Sequence, residues 1–170
     1  MIYKVLLDGV GIYESDNNVV IVDPSLSIEL NAAGNFEFTI PPWHDYYSHV
    51  TPLKSFVEVF EADTSIFYGR VSPHIEIDWN NNKRVYCEGM LSFFNDSIQR
   101  PYEWESVSLS EFFETLISRH NVQVDSDIQF TLGNFTMDDV MLYEKTNYES
   151  TLECIEKMCL DANGGFILTT

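Results

Sequence analysis

The sequence predicts a mainly β protein: a small antiparallel β-barrel domain over residues 1–98, followed by a smaller α+β unit with two helices over residues 99–170. Three observations predict it. Apolar and polar residues alternate with a period of two in the first half, turn residues separate the alternating segments, and the period becomes helical after Pro101. Many short strands with frequent turns are typical of a small barrel or sandwich.

The clearest strand signal is an early hairpin. Apolar and polar residues alternate over residues 26–31 and again over residues 35–40, on either side of a short loop that contains Gly34. Such patterning predicts two paired strands with one buried face. Pro41 and Pro42 should end the second strand, because proline has no N–H to donate to a ladder.

Further strands are expected near residues 55–61 and 65–72. A second hairpin should pair residues 74–78 with residues 83–89 across residues 79–82. On the returning strand the apolar residues occupy odd-numbered positions, which point to the same face of a sheet. This pattern predicts a buried face that continues through Val85, Cys87, Leu91 and Phe93.

Two helices are predicted in the second half. Ser108 and Glu111 fit a capping box, and an apolar stripe follows it at Leu109, Phe112, Phe113, Leu116, Ile117 and His120. Ser150 and Glu153 repeat the cap, and the second stripe comprises Leu152, Ile155, Met158, Cys159 and Ala162. Residues 163–165 should cap this helix, and residues 128–132 and 140–143 look like strands.

The last five residues, 166–170, have the pattern of a strand that is just beginning. A strand needs a partner, and nothing after it supplies one. We therefore expect the chain to be a truncated piece of a longer protein.

Charge and cysteine content restrict the partners. Nine basic and 27 acidic residues give a net charge of −18, which disfavours direct binding to nucleic acid or to an anionic membrane. No apolar stretch reaches the roughly 18 residues that a membrane span needs, so no membrane insertion is expected. Three cysteines without CxxC spacing suit buried thiols in a reducing compartment, and we expect synthesis in the cytoplasm.

The sequence contains no motif that points to a catalytic residue, a cofactor site or a metal site. Phosphate-binding glycine loops, a nucleophile elbow and HExxH are all missing from the sequence. His44, Asp45 and His49 could supply metal ligands, but a solvated loop around Trp43 explains them better.

Two alternatives stay open. Glu103 and Glu105 flank Trp104 and could serve a cell-wall hydrolase as the acid, although an exposed polar loop explains them equally well. The other alternative is a carbohydrate-binding module that grips glycans with some of Trp43, Tyr46, Tyr47 and Trp104.

Four segments together resemble one family. Residues 66–71 and 85–97, the upstream hairpin at 30–42 and the helix end at 116–121 are similar, in order and spacing, to the tail hub proteins of tailed bacteriophages. That family includes the "prophage endopeptidase tail" proteins of siphophages, and the likeness covers roughly residues 25–168.

The resemblance implies a structural role in the virion tail tip. Such hubs are similar to the baseplate hub of contractile-tailed phages, a homotrimer whose β-barrels form a ring that closes the tail tube and contacts distal tail and tube proteins. Any peptidoglycan-cutting activity would lie beyond residue 170, so this chain is expected not to be an enzyme. Gly69, Arg70, Glu88 and Gly89 are expected to be structural markers of the fold, with Arg70 and Glu88 able to pair across neighbouring strands.

Overall fold

A computed structural model describes residues 3–15, 20–29, 32–134 and 141–161. The chain forms two compact units, and the boundary between them lies between Met90 and Leu91, earlier than the sequence places it. The reason is that residues 91–94 are buried in a short 3-10 helix whose Phe93 and Phe94 rings pack on Phe130, a residue of the second unit.

The first unit is a seven-stranded antiparallel sheet that curls into a half-barrel. Its strands, in chain order, are β1 (Tyr3–Leu7), β2 (Val10–Glu14), β3 (Val22–Ser27), β4 (Asn35–Ile40), β5 (Phe56–Glu61), β6 (Thr64–Ile77) and β7 (Lys83–Gly89). Across the sheet their order is β2-β1-β5-β6-β7-β4-β3, so β2 and β3 are the two edges. The mainly β fold class with an α+β second part is therefore confirmed.

Alternation of apolar and polar residues places the core on one face of this curled sheet. On β4, Phe36, Phe38 and Ile40 are buried, and Phe36 stacks on Phe38 with ring centroids 5.4 Å apart. The buried residues of the other strands complete one cluster, which includes Val5, Leu7, Ile12, Val57, Val59, Phe67, Val71, Val85 and Cys87. The predicted β6–β7 hairpin is confirmed. The first hairpin is confirmed as β3–β4, but its first strand is Val22–Ser27 and not residues 26–31.

One long strand replaces two expected ones. The segments predicted at residues 65–72 and 74–78 are both part of β6. Val71 of β6 is opposite Cys87 of β7, and the next pair is Ile75 with Val85. Four steps along β6 therefore match two steps along β7, so β6 contains a bulge. Pro73 lies in this bulge, where a residue without an N–H costs no ladder bond.

The second unit combines two small antiparallel strand pairs with two α-helices. Its elements are the 3-10 helix Met90–Asp96, which starts at the boundary, then β8 (Ile98–Gln99), β9 (Tyr102–Ser108), α1 (Leu109–Asn121), the 3-10 helix Ser126–Ile128, β10 (Met141–Thr146), β11 (Glu149–Ser150) and α2 (Thr151–Asp161). Strand β9 pairs with β10, and β8 pairs with β11. No helix in the described ranges is both long enough and apolar enough to cross a bilayer.

Both predicted helix starts are confirmed. Ser108 Oγ accepts a hydrogen bond from the Glu111 N–H at 3.2 Å and caps α1. At α2 the capping box is reciprocal: Ser150 Oγ accepts from the Glu153 N–H at 3.1 Å, and Glu153 Oε2 accepts from the Ser150 N–H at 2.7 Å. Cys154 joins the buried face of α2, whereas residues 162–170, with the expected cap and final strand, lie outside the described residues.

Two strand predictions in the second half were wrong. Leu91 and Phe93 are buried in a 3-10 helix and do not continue β7. Residues 129–132 form no ladder, because the side chain of Asn121 takes the place of a strand partner: its Nδ2 donates to Phe130 O at 2.7 Å and its Oδ1 accepts from the Phe130 N–H at 2.9 Å. Of the segment predicted at 140–143, residues 141–143 lie in β10 and residue 140 is outside the described residues.

Candidate functional site

The four residues singled out by the sequence come together on β6 and β7. In the register of this pair Gly69 is opposite Gly89, and Arg70 is opposite Glu88. The glycines are buried, whereas Glu88 is exposed and Arg70 is half-buried. The placement of Arg70 and Glu88 is the one from which oppositely charged side chains pair across a sheet.

Close backbone approach explains both glycines. A Cβ atom on Gly89 would lie 1.8 Å from the carbonyl oxygen of Ala33, and one on Gly69 would lie 2.4 Å from the carbonyl oxygen of Glu88. The Gly89 N–H also donates to Gly34 O at 3.2 Å. The β3–β4 loop therefore crosses directly over the end of β7, and no larger residue fits beneath it.

Phe67 covers the glycine pair. Its ring atoms would lie 2.7 Å from a Cβ on Gly69 and 3.3 Å from one on Gly89. The ring thus fills the space that two missing side chains leave, and it also contacts Phe36 at a centroid distance of 6.0 Å. An aromatic ring over strand glycines restores the packing that they lack. The two glycines and Phe67 serve to pack the sheet, since glycine has no side-chain functional group.

His44 connects the loop after β4 to the edge strand β2. Its Nδ1 accepts from the Tyr46 N–H at 3.1 Å, so Nε2 carries the hydrogen that is donated to Ile12 O at 3.1 Å. The expected solvated loop is thus only partly solvated: Trp43 is exposed, but His44 is buried. Both ring nitrogens are used, and no group of three or more metal-ligating side chains occurs in the described ranges.

A buried polar network lies inside the second unit. Ser97 Oγ is 2.7 Å from His120 Nδ1 and 2.6 Å from Thr151 Oγ1. Gln99 Nε2 donates to Thr151 Oγ1 at 2.8 Å and to Leu116 O at 3.2 Å. All four side chains are essentially inaccessible to solvent. The network joins the segment before β8, α1 and the first residue of α2.

The donor and the acceptor of each hydrogen bond in the network can be assigned from the group at one end, Ile128 O, which only accepts. His120 Nε2 lies 2.9 Å from Ile128 O and must donate, since a carbonyl only accepts. Burial lowers the pKa of His120 and outweighs the bond to Ile128 and the charge of Asp96, which raise it. The ring is therefore neutral, and Nδ1 carries no hydrogen. Ser97 therefore donates to His120, Thr151 donates to Ser97, and Gln99 donates to Thr151.

A serine beside a histidine is the pairing of a hydrolytic nucleophile and its base. Here Ser97 and His120 are both buried, and the hydroxyl accepts from Thr151 within the core, so no substrate can reach it. Its role is to bind the elements of the unit together. Nothing in the sequence pointed to this network, because Ser97, His120 and Thr151 are far apart in the chain and belong to no common motif.

The cluster around Trp104 differs from an exposed polar loop. It lies on β9, and Trp104 is only 8% exposed, with its ring edge-on to Phe112 at 5.0 Å. Glu103 accepts from the Tyr143 hydroxyl and lies 3.1 Å from Lys145 Nζ. The bond from Tyr143, followed by that from Lys145, lowers the pKa of Glu103. A general acid needs the opposite shift.

The two thiols that the structure describes are in unreactive surroundings. Cys87 lies on β7 and Cys154 on α2, both buried and free. Burial raises the pKa of Cys87, and burial together with Glu149 raises the pKa of Cys154 to about 12. Thiols of this kind are protonated at neutral pH and are poor nucleophiles.

No protein-family model matches the chain, and no curated protein matches it.

Proposed function

We propose that the chain comes from a phage tail hub protein, a structural component that forms a homotrimeric ring at the tip of the virion tail. The observation that carries the proposal is the β6–β7 pair. The two segments that resemble the hub family meet there in one register, with Gly69 opposite Gly89 beneath the β3–β4 loop. The resembling hairpin is the element that packs on them.

The two edges of the sheet, as the described residues form it, support a ring. A ring of identical subunits uses two different surfaces in each contact, one from each neighbour. The half-barrel has two different edges, β2 and β3, with Val10 exposed on the first and Val22 on the second. Edge strands carry backbone groups that can pair with another chain.

The charge supports a structural partner and not a nucleic-acid partner. At −18 the chain repels phosphate, so the proposed partners are further copies of itself and the distal tail or tube proteins. An acidic wall around a channel would let DNA pass without holding it. The proposed role requires no catalysis by this chain.

Matched valine-to-lysine variants test the ring. Sedimentation equilibrium at high salt should show a species of three times 19.6 kDa for the wild type. Val10→Lys and Val22→Lys place a charge on the two edges and should lower the trimer fraction, as charged edges do. Val122→Lys makes the same change at an exposed site on the second unit and is the control. Equal trimer fractions in all three variants would contradict the role of the sheet edges, and a longer protein that contains this chain but forms no trimer would overturn the proposal.

A further inference from the structure

The hydrogen-bond chain inside the second unit has a fixed direction at both ends. At one end His120 Nε2 donates to Ile128 O, since a carbonyl only accepts. At the other end Gln99 Nε2 lies 3.2 Å from Leu116 O and 2.8 Å from Thr151 Oγ1. The amide atom that faces Leu116 O must be the nitrogen, so Gln99 donates to Thr151 as well. All the bonds of the chain therefore point from Gln99 towards Ile128.

The Gln99 amide cannot turn round without a loss of hydrogen bonding. Its Oε1 would then take the place of Nε2 and lie against Leu116 O, where two carbonyl oxygens repel each other. In the present orientation Gln99 Oε1 is buried and has no hydrogen-bond partner among the described residues. Since an unpaired buried acceptor is unfavourable, the two bonds from Nε2 must hold the amide in place. Gln99 is therefore a donor to Thr151 whatever the charge of His120.

The fixed direction leaves no place for a second proton on the His120 ring. In the neutral ring Nδ1 accepts from Ser97 Oγ, which in turn accepts from Thr151. A proton on Nδ1 would make Ser97 the acceptor, so Ser97 would donate to Thr151. Gln99 already donates to the same hydroxyl, and the hydrogen of Thr151 would be left without an acceptor in the chain. A charged ring thus leaves an unpaired donor in the core, which is unfavourable.

The other described groups around the His120 ring are mostly uncharged. The Phe94 and Phe130 rings, from the 3-10 helix at the start of the second unit and from the segment after α1, have centroids 4.8 and 5.6 Å from the imidazole centroid. The network reaches the segment before β8 and the start of α2 through hydroxyls. Burial lowers the pKa of His120, whereas the bond to Ile128 O and the charge of Asp96 raise it. Burial outweighs both, so the carboxylate of Asp96 does not set the state of the ring.

From this arrangement we infer that the chain of hydrogen bonds is an acid-sensitive switch in the second unit, in which Gln99 is the positioning residue. While His120 is neutral, its bond from Ser97 and the bond from Thr151 to Ser97 tie α1 to the first residue of α2. When His120 gains a proton, the Thr151 hydrogen loses its acceptor, so the contacts of Thr151 open and the first turn of α2 loosens. The switch lies within one unit of one chain, so the inference does not rest on the trimeric ring.

A pH titration of the isotope-labelled full chain by NMR tests this. The chain has four histidines, and His120→Asn identifies the ring signal of His120 among them. In the wild type we expect the pKa of this ring to lie below the usual 6.5, because burial disfavours the charged form. The Thr151 N–H donates to Ser97 O at 3.0 Å, and we expect its protection from hydrogen exchange to fall several-fold as His120 gains its proton.

Gln99→Glu should reverse the direction of the chain. A carboxylate accepts the hydrogen of Thr151, which can then accept from Ser97, and Ser97 in turn accepts from a charged ring. We expect the pKa of His120 to rise by about one unit or more, and the protection of the Thr151 N–H to persist where the wild type loses it. Gln123→Glu adds the same charge at an exposed site of the same unit and should leave the pKa of His120 near the wild-type value.

Ser97→Ala cuts the chain between His120 and Thr151, and it decides the question if Gln99→Glu does not fold. In this variant the titration of His120 should leave the protection of the Thr151 N–H unchanged. The inference fails if that protection still falls with the titration, or if a folded Gln99→Glu protein shows no rise in the pKa of His120. It also fails if the protection of the Thr151 N–H in the wild type does not depend on the charge of His120.

Discussion

Gly69 lies opposite Gly89 in the β6–β7 pair, and each glycine is closed in by a backbone carbonyl, from Glu88 and from Ala33 respectively. A side chain at either position would meet main-chain atoms, which cannot rotate away as a side chain can. The pair thereby fixes where the β3–β4 loop crosses the sheet, and Phe67 fills the remaining space.

Alanine at Gly89 should therefore destabilise the first unit by about 3 kcal/mol or more, at the upper end for an overpacked site. Gly69→Ala should cost less, because its contact distance of 2.4 Å exceeds the 1.8 Å at Gly89. Gly11→Ala is the control, since its Cβ would lie 3.9 Å from a Leu6 side-chain atom, an ordinary contact. Urea unfolding of the three variants measures the effect. A Gly89→Ala protein as stable as Gly11→Ala would contradict the packing argument.

The stability of the second unit should depend on His120. Burial lowers the pKa of this side chain below its usual 6.5, so the folded state favours the neutral ring. In the unfolded chain the ring gains its proton near the usual value. The contribution of His120 is thus fully present above about pH 6.5, and it is lost as the pH falls towards the lower folded pKa, by at most about 1.4 kcal/mol per pH unit.

Comparison with His120→Asn isolates this contribution from that of the many carboxylates. We expect the wild type to exceed the variant in free energy of unfolding by more at about pH 7.5 than at about pH 5.5. His49→Gln changes an exposed histidine of the first unit and is the control variant. A wild-type advantage over His120→Asn that is the same at both pH values would refute the proposed role of the neutral ring.

Local patterns predicted the strands and helices where the pattern was regular. Phe36, Phe38 and Ile40 alternate without interruption, and the strand they predict is β4. In the β9–β10 pair, Val107 is opposite Leu142 and Trp104 is opposite Glu144, so three steps along β9 match two steps along β10. The extra residue on β9 is a bulge, and it breaks the alternation with a period of two. That strand was missed for this reason, and the bulge at Pro73 split β6 in the same way.

Contacts between distant segments had no local signal. Strand β1 lies between β2 and β5, and its partner Val59 on β5 is far from Val5 along the chain. Ser97 and Thr151 are isolated small polar residues in the sequence, and only the folded unit places their hydroxyls 2.6 Å apart. Pairing of this kind depends on the whole topology and not on the composition of either segment.

We expect no hydrolysis of peptidoglycan or peptides by this chain. The pKa of Glu103 is lowered by Tyr143 and Lys145, so the side chain is a carboxylate at neutral pH and has no proton to give to a leaving group. Zymography on purified cell walls measures this, with a known hydrolase as the positive control. Clear turnover that Glu105→Gln or Glu103→Gln abolishes would contradict the expectation and would favour the hydrolase alternative.

Assembly into the proposed ring should grow stronger with salt. Three copies at −18 each carry −54 together, which opposes association unless the acidic side chains face solvent or the channel. Repulsion between exposed charges reaches about 30 Å in 0.01 M salt but only about 8 Å at physiological ionic strength. The chain should therefore be monomeric or weakly associated in dilute low-salt buffer, and its trimer fraction should rise as salt is added.

Sedimentation equilibrium over a salt series measures that trend, and its sign separates the proposed ring from an assembly on nucleic acid. Binding through phosphate contacts weakens as salt rises, because the counterions that binding releases become abundant in solution. Self-association of an acidic chain strengthens, because salt screens the repulsion between like charges that opposes the proposed contacts through β2 and β3. A longer protein that contains this chain and stays monomeric in high salt at tens of micromolar would defeat the hub assignment itself.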